Sequence, residues 1–133
     1  MNEPAPSAII LLAHGARDPR WSEPFQRIAA RVRAATPDLL VEMAYLEHIA
    51  PDLAEAARRL SNQGAQRIHV VPLFFGRGGH LREDVPRQLA AIAKTLPNVT
   101  LDLALPAGED DAVIDALAAF CLRAARGTPA PGG

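Results

Sequence analysis

Residues 8–15 read AIILLAHG, an unbroken apolar run that ends in a histidine and a glycine. Such a run, without polar alternation, is typical of a parallel strand that is covered on both faces. Residues 68–80 repeat the arrangement, because IHVVPLFF is followed by the loop GRGG and then by His80. His14 and His80 therefore each follow the carboxyl end of a predicted strand. That edge is where open α/β sheets bind their ligands.

Strands are predicted to alternate with helices along the whole chain. The predicted strands are residues 8–13, 40–46, 68–75 and 99–104. A helix is expected after each strand: residues 22–36, a second helix with Pro51 in its first turn and Gly64 as its cap, a third that ends at Pro97, and residues 110–126. The fourth helix is expected to bury its apolar face, which consists of Val113, Leu117, Phe120 and Ala124.

This alternation predicts an α/β fold with a parallel sheet and right-handed crossovers. The first and third strands are the most apolar, so we place them in the centre and obtain the strand order 2-1-3-4. The expected architecture is a three-layer sandwich of the flavodoxin-like type, whose topological switch point lies between strands one and three. His14 and His80 are then predicted to meet in one crevice.

Length and composition indicate one globular domain. The chain has 133 residues, of which 49% are hydrophobic and 22% charged, with a net charge of −1. This charge gives no reason to expect nucleic acid, and the apolar runs are too short for a membrane helix. Residues 1–126 are expected to form the domain, and residues 127–133 a disordered tail. A single cysteine and the absence of a signal-peptide pattern favour the cytoplasm.

Two imidazoles at the topological switch point indicate a catalytic or metal-binding site rather than a role in packing. Neutral imidazole binds divalent transition metals, and it also accepts protons near neutral pH. Two histidines leave several coordination positions open, which does not fit a closed structural zinc site. Glu47 follows the second predicted strand, so its carboxylate reaches the same edge. The competing interpretation is that each histidine only bonds the backbone of a loop.

The loop 76–79, GRGG, would let a flat ligand approach the backbone closely, because glycine has no side chain. Its sequence matches neither the P-loop nor the dinucleotide-binding pattern. Arg17, Arg77 and Arg82 flank the two histidines and could pair with the carboxylates of an acidic ligand. Taken singly, each of these arginines is an ordinary surface charge.

The remaining candidate side chains are predicted to be structural. His69 lies at the end of the third strand away from the crevice, and His48 is expected to be a solvent-exposed loop residue, although it could turn toward the site. Cys121 falls on the apolar side of the fourth helix and is expected in the core. Trp21, at a helix entrance, is expected to be a packing anchor.

Three segments resemble one known family. They are HGARD at residues 14–18, YLE at 45–47 followed by Pro51, and VPLFFGRGGHLREDVP at 71–86. In this order they are similar to the short CbiX/SirB-type sirohydrochlorin chelatases, the class II tetrapyrrole chelatases, over nearly the whole chain. The third segment is the most specific. Ala16 departs from the pattern, since the family often has serine there.

The resemblance implies an enzyme, a sirohydrochlorin cobaltochelatase or ferrochelatase (a lyase), in cobalamin or siroheme biosynthesis. Co²⁺ is the expected substrate metal, with Fe²⁺ or Ni²⁺ as alternatives, and no organic cofactor is expected. By resemblance, His14 and His80 handle the metal and accept protons, and Glu47 assists them. Contacts to the carboxylate-rich tetrapyrrole are expected from Gly15, Arg17, Arg77, Gly78, Gly79 and Arg82.

Long members of that family fuse two units, whereas this chain shows no internal repeat. The resemblance therefore implies an isologous homodimer that closes a cavity around the macrocycle. Three alternatives are a histidine-phosphatase-like enzyme, a non-catalytic metal or tetrapyrrole carrier, and a purely structural interaction module. The phosphatase needs an arginine just before its histidine, where this chain has Ala13.

Overall fold

Within residues 6–76 and 81–127, the part of the chain that the computed structural model describes, four parallel strands alternate with four helices. For residues 81 and 82 the description covers the backbone alone. The strands are β1 (Ser7–Ala13), β2 (Leu40–Tyr45), β3 (Arg67–Pro72) and β4 (Thr100–Leu103). The helices are α1 (Glu23–Ala35), α2 (Leu53–Asn62), α3 (Leu81–Thr95) and α4 (Asp111–Ala125), with short 3-10 turns at Pro19–Ser22 and Ala107–Glu109.

The strand order is β2-β1-β3-β4, which confirms the predicted α/β topology. β1 pairs in parallel with both of its neighbours, and the ends of the three strands are level. Ala13 lies opposite Tyr45 in β2, and Leu12 lies opposite Pro72 in β3. Segments that leave these three strands therefore start from the same edge of the sheet.

The boundaries that differ most from the prediction are the end of β3 and the start of α2. β3 ends at Pro72 instead of residue 75, and Phe75 is 68% exposed. α2 begins at Leu53, after Pro51, because the carboxylate of Asp52 accepts a hydrogen bond from the N–H of Glu55 at 2.9 Å and caps the helix. The predicted turn after α2 is confirmed, since Gly64 has a φ of +99°.

Apolar cores lie on both faces of the sheet. On one face, α2 and α3 cover a cluster whose largest fully buried members are Ile10, Leu12, Leu53, Leu60, Ile68 and Val70. On the other face, Ala29 of α1 packs with Leu11, Met43 and Tyr45. β1 is thus buried on both sides, as its unbroken apolar sequence predicts.

Helix α4 is the main departure from the predicted fold. All of its residues are described and none is buried, so the expected burial of its apolar face (Val113, Leu117, Phe120 and Ala124) is wrong. The placement of Cys121 in the core is also wrong, because this residue is exposed. α4 mainly contacts the 3-10 turn that precedes it. None of the described helices, α4 included, combines the length and the apolar character needed to cross a membrane.

The polar character of β3 and β4 explains why α4 does not lie on the sheet. Arg67 and His69 alternate with the buried Ile68 and Val70, so they point to the opposite face of the sheet. There the Nε atom of Arg67 and the Nδ1 atom of His69 lie 2.8 and 3.3 Å from Oδ2 of Asp102. An apolar helix laid over this cluster would remove water from three polar side chains, which is unfavourable.

Candidate functional site

The carboxyl ends of β1 and β2 stay hydrogen-bonded after the strands end. The N–H of Leu46 lies 3.1 Å from the carbonyl oxygens of both Ala13 and His14, and the N–H of Glu47 donates to the carbonyl of His14 at 3.0 Å. These bonds hold the two segments side by side. The side chains of His14 and Glu47 therefore leave neighbouring backbones at the predicted edge of the sheet.

Gly15 allows the two backbones to approach this closely. It is buried and has a φ of +101°, and a Cβ at this position would collide with the carbonyl oxygen of Glu47. Any other residue would push the two segments apart. The family resemblance implies a substrate contact for Gly15, and the structure adds this packing requirement, which the sequence pattern alone does not reveal.

His14 and Glu47 form a hydrogen-bonded pair that is open to solvent. Nε2 of His14 lies 3.0 Å from Oε1 of Glu47, and each side chain is 52% exposed. An ionised carboxylate can only accept a hydrogen bond, so Nε2–H is the donor and a neutral ring keeps its lone pair on Nδ1. A carboxylate that orients an imidazole in this way is the usual partner of a metal-binding histidine. The pair can therefore bind a metal ion through His14 or accept protons.

His48 also approaches this carboxylate. It is an exposed loop residue, as expected, but its Nε2 lies 3.7 Å from Oε1 of Glu47. Its backbone has a φ of +68°, which is uncommon for a residue other than glycine. The sequence offers one signal for this contact, namely its position directly after Glu47.

The loop that carries the second histidine lies outside the described residues. The sequence predictions for Arg77, Gly78, Gly79 and His80 therefore have no structural counterpart here, and the same holds for the side chain of Arg82. In the described part of the chain, no group of three or more His, Cys, Asp or Glu residues could hold a metal ion. The described residues of the predicted site are thus His14, Gly15, Arg17 and Glu47.

Arg17 is exposed on the loop that follows His14 and Gly15. The neighbouring Asp18 pairs with Arg20 and not with Arg17. Both carboxylate oxygens of Asp18 accept hydrogen bonds from the guanidinium of Arg20, at 3.2 and 3.0 Å. This fork, together with a bond from the backbone N–H of Arg20, lowers the pKa of Asp18 below its ordinary value. Of the two arginines in residues 17–20, Arg17 is therefore the one that does not pair with Asp18.

Two structural assignments from the sequence agree with the geometry. His69 lies at the other end of β3, in the ion-pair cluster with Asp102. Trp21 packs against Phe25 and Tyr45, with ring centroids 4.7 and 6.4 Å away. Because Tyr45 is the last residue of β2, this aromatic contact ties the entrance of α1 to the strand that leads to Glu47.

Several known proteins are similar to this chain. The sirohydrochlorin cobaltochelatase of Sulfolobus acidocaldarius is 34% identical over 109 residues, which are 82% of this chain and 85% of that protein. The crystal structure of a cobalamin biosynthesis CbiX protein from Marinobacter aquaeolei VT8 superposes with a TM-score of 0.80 at 34% identity, covering 91% of this chain and 96% of that one.

SirB from Bacillus subtilis gives two further structural matches, both at 26% identity and over 85% of this chain. One structure is a complex with cobalt (TM-score 0.75, 48% of that chain covered), and the other holds Fe³⁺ (TM-score 0.74, 45% covered). A family model for CbiX matches residues 8–123. On this evidence, the chain belongs to the CbiX family.

Proposed function

We propose that this chain inserts a divalent metal ion into sirohydrochlorin. The observation that carries the proposal is the His14–Glu47 pair, an imidazole oriented by a carboxylate at the carboxyl edge of β1 and β2. The similar Sulfolobus protein is named a sirohydrochlorin cobaltochelatase, and the similar SirB chain binds cobalt in its structure. Family membership and site chemistry thus support the same reaction.

Insertion exchanges a metal ion for the protons of two pyrrole N–H groups of the ring. The metal ion must also lose water, and Nδ1 of His14 can replace one water while Nε2–H remains bonded to Glu47. Holding the ion opposite the ring raises the effective concentration of the two reactants. We assign the metal to His14 and His80, and the released protons pass to Glu47 or to an imidazole that is not bound to the metal.

The ring is expected to bind through its carboxylates at the rim of this site. Arg17 is exposed just beyond His14, and Arg77 and Arg82 flank His80 in the sequence. A guanidinium matches a carboxylate with two parallel hydrogen bonds, which suits a substrate rich in acidic side chains. Gly78 and Gly79 carry no side chain that would keep a flat macrocycle away from the backbone, whereas the space beside Gly15 is taken by the backbone of Glu47.

Co²⁺ is the proposed physiological metal. Imidazole and carboxylate ligands accept iron, cobalt and nickel alike, so the ligands alone do not select the metal. The test is to mix the purified, metal-free protein with sirohydrochlorin and Co²⁺, Ni²⁺ or Fe²⁺ in parallel and to follow the absorption spectrum of the ring. We expect acceleration over the protein-free rate, greatest with Co²⁺. A faster reaction with another metal would overturn the choice of cobalt, and no acceleration with any metal would overturn the function.

Substitutions at Glu47 separate the charge of its carboxylate from its hydrogen bond. Glu47→Gln keeps an acceptor for Nε2 of His14 and loses the negative charge, so we expect kcat for insertion to fall about 10-fold. Glu47→Ala loses both, and we expect a fall of about 100-fold. Steady-state insertion kinetics measure both values, with Glu42→Gln as the control because it removes a carboxylate from β2, the strand that precedes Glu47. An unchanged kcat in Glu47→Ala would show that Glu47 takes no part.

We further infer that the protein acts as a homodimer in the cytoplasm, with residues 1–126 as one unit and residues 127–133 as a tail. One copy supplies one His14–Glu47 pair on an open edge, where both side chains are half exposed. A second copy placed across this edge would enclose the macrocycle, and the pairing would be isologous. Neither a nucleic acid nor a membrane partner is part of the proposal.

A further inference from the structure

His48 is the central residue of a tight turn. The N–H of Ile49 donates to the carbonyl of Glu47 at 2.8 Å, which closes a three-residue γ-turn, and the φ of His48 is +68°. A γ-turn with a positive φ at its centre is rare, because this conformation is strained for residues other than glycine. Strained backbone of this kind is concentrated at functional sites. The side chain of His48 is therefore a candidate for a role that offsets the strain.

The segments on both sides of the turn are held in place. Before the turn, the N–H of Glu47 donates to the carbonyl of His14 at 3.0 Å. After the turn, the side chain of Ile49 packs against the core cluster that includes Leu11. His48 has to link these two anchored segments, so the backbone fixes the place from which its imidazole projects.

The imidazole of His48 lies beside the carboxylate of Glu47. Its Nε2 is 3.7 Å from Oε1 of Glu47, the same oxygen that lies 3.0 Å from Nε2 of His14. A separation of 3.7 Å exceeds that of a direct hydrogen bond, so the contact is an electrostatic attraction between an N–H group and an ionised carboxylate. Oε1 of Glu47 is thus attracted by two imidazoles.

A second contact matters because the carboxylate of Glu47 lies on an open edge. Its side chain is 52% exposed and has several rotatable bonds, so a single hydrogen bond to His14 leaves it free to adopt other rotamers. The side chain of His48 is less exposed, at 34%, and its attraction favours the rotamer that contacts His14. Holding the carboxylate also holds the ring of His14, which keeps Nδ1 available in one orientation for the substrate metal.

We propose that His48 is a positioning residue of the metal site, which holds the carboxylate of Glu47 against His14. This deepens the proposed function and rests on it. The contacts run from the substrate metal through His14 and Glu47 to His48, so His48 acts on insertion only through Glu47. Replacing an outer partner of a metal-binding histidine typically changes metal affinity or activity about 10- to 100-fold, and His48 belongs at the lower limit because it is one contact further out.

The test compares His48→Gln with His48→Met. The two side chains have similar lengths and a similar backbone cost at a positive φ, but only glutamine offers an N–H to Glu47. In His48→Met we expect kcat for insertion, and the affinity for Co²⁺ without the ring, each to fall about 10-fold. In His48→Gln both values should stay within about two-fold of the wild type. Steady-state kinetics give kcat, and calorimetric titration with Co²⁺ alone gives the affinity.

Two controls separate positioning from other effects of the substitution. His69→Met removes an imidazole that lies beside Asp102 and should leave kcat and the Co²⁺ affinity unchanged. His48→Gly relieves the positive φ, so its melting temperature should be close to that of the wild type, while its kcat should fall as in His48→Met. The KM for sirohydrochlorin should be unchanged in every variant of His48, because the positioning role includes no contact with the ring.

A double variant tests whether His48 acts through Glu47. In the Glu47→Ala background, His48→Met should cause no further loss of kcat, because the group that it positions is absent. A full further loss in that background, an equal loss in His48→Gln and His48→Met, or unchanged values in His48→Met would each overturn the positioning role.

The Co²⁺ titration also distinguishes failure of this role from failure of the proposed function. If the wild type binds Co²⁺ but inserts no metal, the function is refuted, and the Co²⁺ affinities of the variants still decide the role of His48. If the wild type inserts metal and His48→Met behaves like it, the role of His48 alone is refuted. A wild type that neither binds Co²⁺ nor inserts a metal would overturn both.

Discussion

Replacing His14 by alanine lowers the rate of metal insertion by about 100-fold or more, because the variant loses a metal ligand and a possible proton acceptor in one step. The same loss is expected for His80→Ala. The side chain of His14 is half exposed and its partner Glu47 remains solvated, so His14→Ala should fold as the wild type does. Stopped-flow or steady-state spectroscopy of the ring measures the insertion rate, and thermal unfolding checks the fold.

The matched control for this prediction is His69→Ala. It removes another partly exposed histidine that also lies beside a carboxylate, Asp102. His69 lies near the start of β3, away from the edge of the sheet that carries His14. We expect His69→Ala to retain the wild-type insertion rate. Wild-type-like insertion by purified His14→Ala or His80→Ala would refute the assignment of these histidines.

Three described glycines have a positive φ, namely Gly15, Gly64 and Gly127. Among their substitutions by alanine, we expect Gly15→Ala to destabilise the protein most. The new Cβ would collide with the carbonyl oxygen of Glu47, and a φ of +101° is also unfavourable for alanine. We expect the free energy of unfolding to fall by more than about 3 kcal/mol. Because the segment around Glu47 must move away from His14, insertion should be lost in the fraction that still folds.

Gly64→Ala is the control that separates the effect of the collision from the effect of the backbone conformation. Gly64 has nearly the same φ, +99°, but a Cβ there meets no atom within 4 Å. Its substitution should cost only the conformational term, about 1–2 kcal/mol. Urea denaturation of the two variants gives the difference directly. Equal losses would show that the close approach between Gly15 and Glu47 does not constrain the fold.

The strand order could be predicted because the apolar character of each strand reports how many of its faces are buried. Residues 8–13 are apolar throughout, and β1 is indeed central and covered on both sides. The proximity of Glu47 to the end of β1 could be predicted because parallel strands end at a common edge. Its contact with His14 then follows from the hydrogen bonds that join the two segments beyond the strands.

The placement of α4 could not be predicted from its own periodicity. An apolar stripe such as Val113, Leu117 and Phe120 shows that a helix needs a partner surface, but it does not show whether that surface belongs to the same molecule. Here the nearby sheet face carries the Arg67–Asp102 ion pair, which an apolar helix does not cover favourably. The position of His48 depends on a positive φ in a loop, and periodicity carries no information about such angles.

The most direct test of the proposed function is the number of product molecules formed per protein chain. Substoichiometric protein is incubated with a large excess of sirohydrochlorin and Co²⁺, and the metal-containing ring is counted from its absorption spectrum after subtraction of the protein-free reaction. A chelatase with the His14–Glu47 site should form many products per chain at a steady rate. Formation of no more than one product per chain, with tight binding of metal or ring, would contradict catalysis and identify the protein as a carrier.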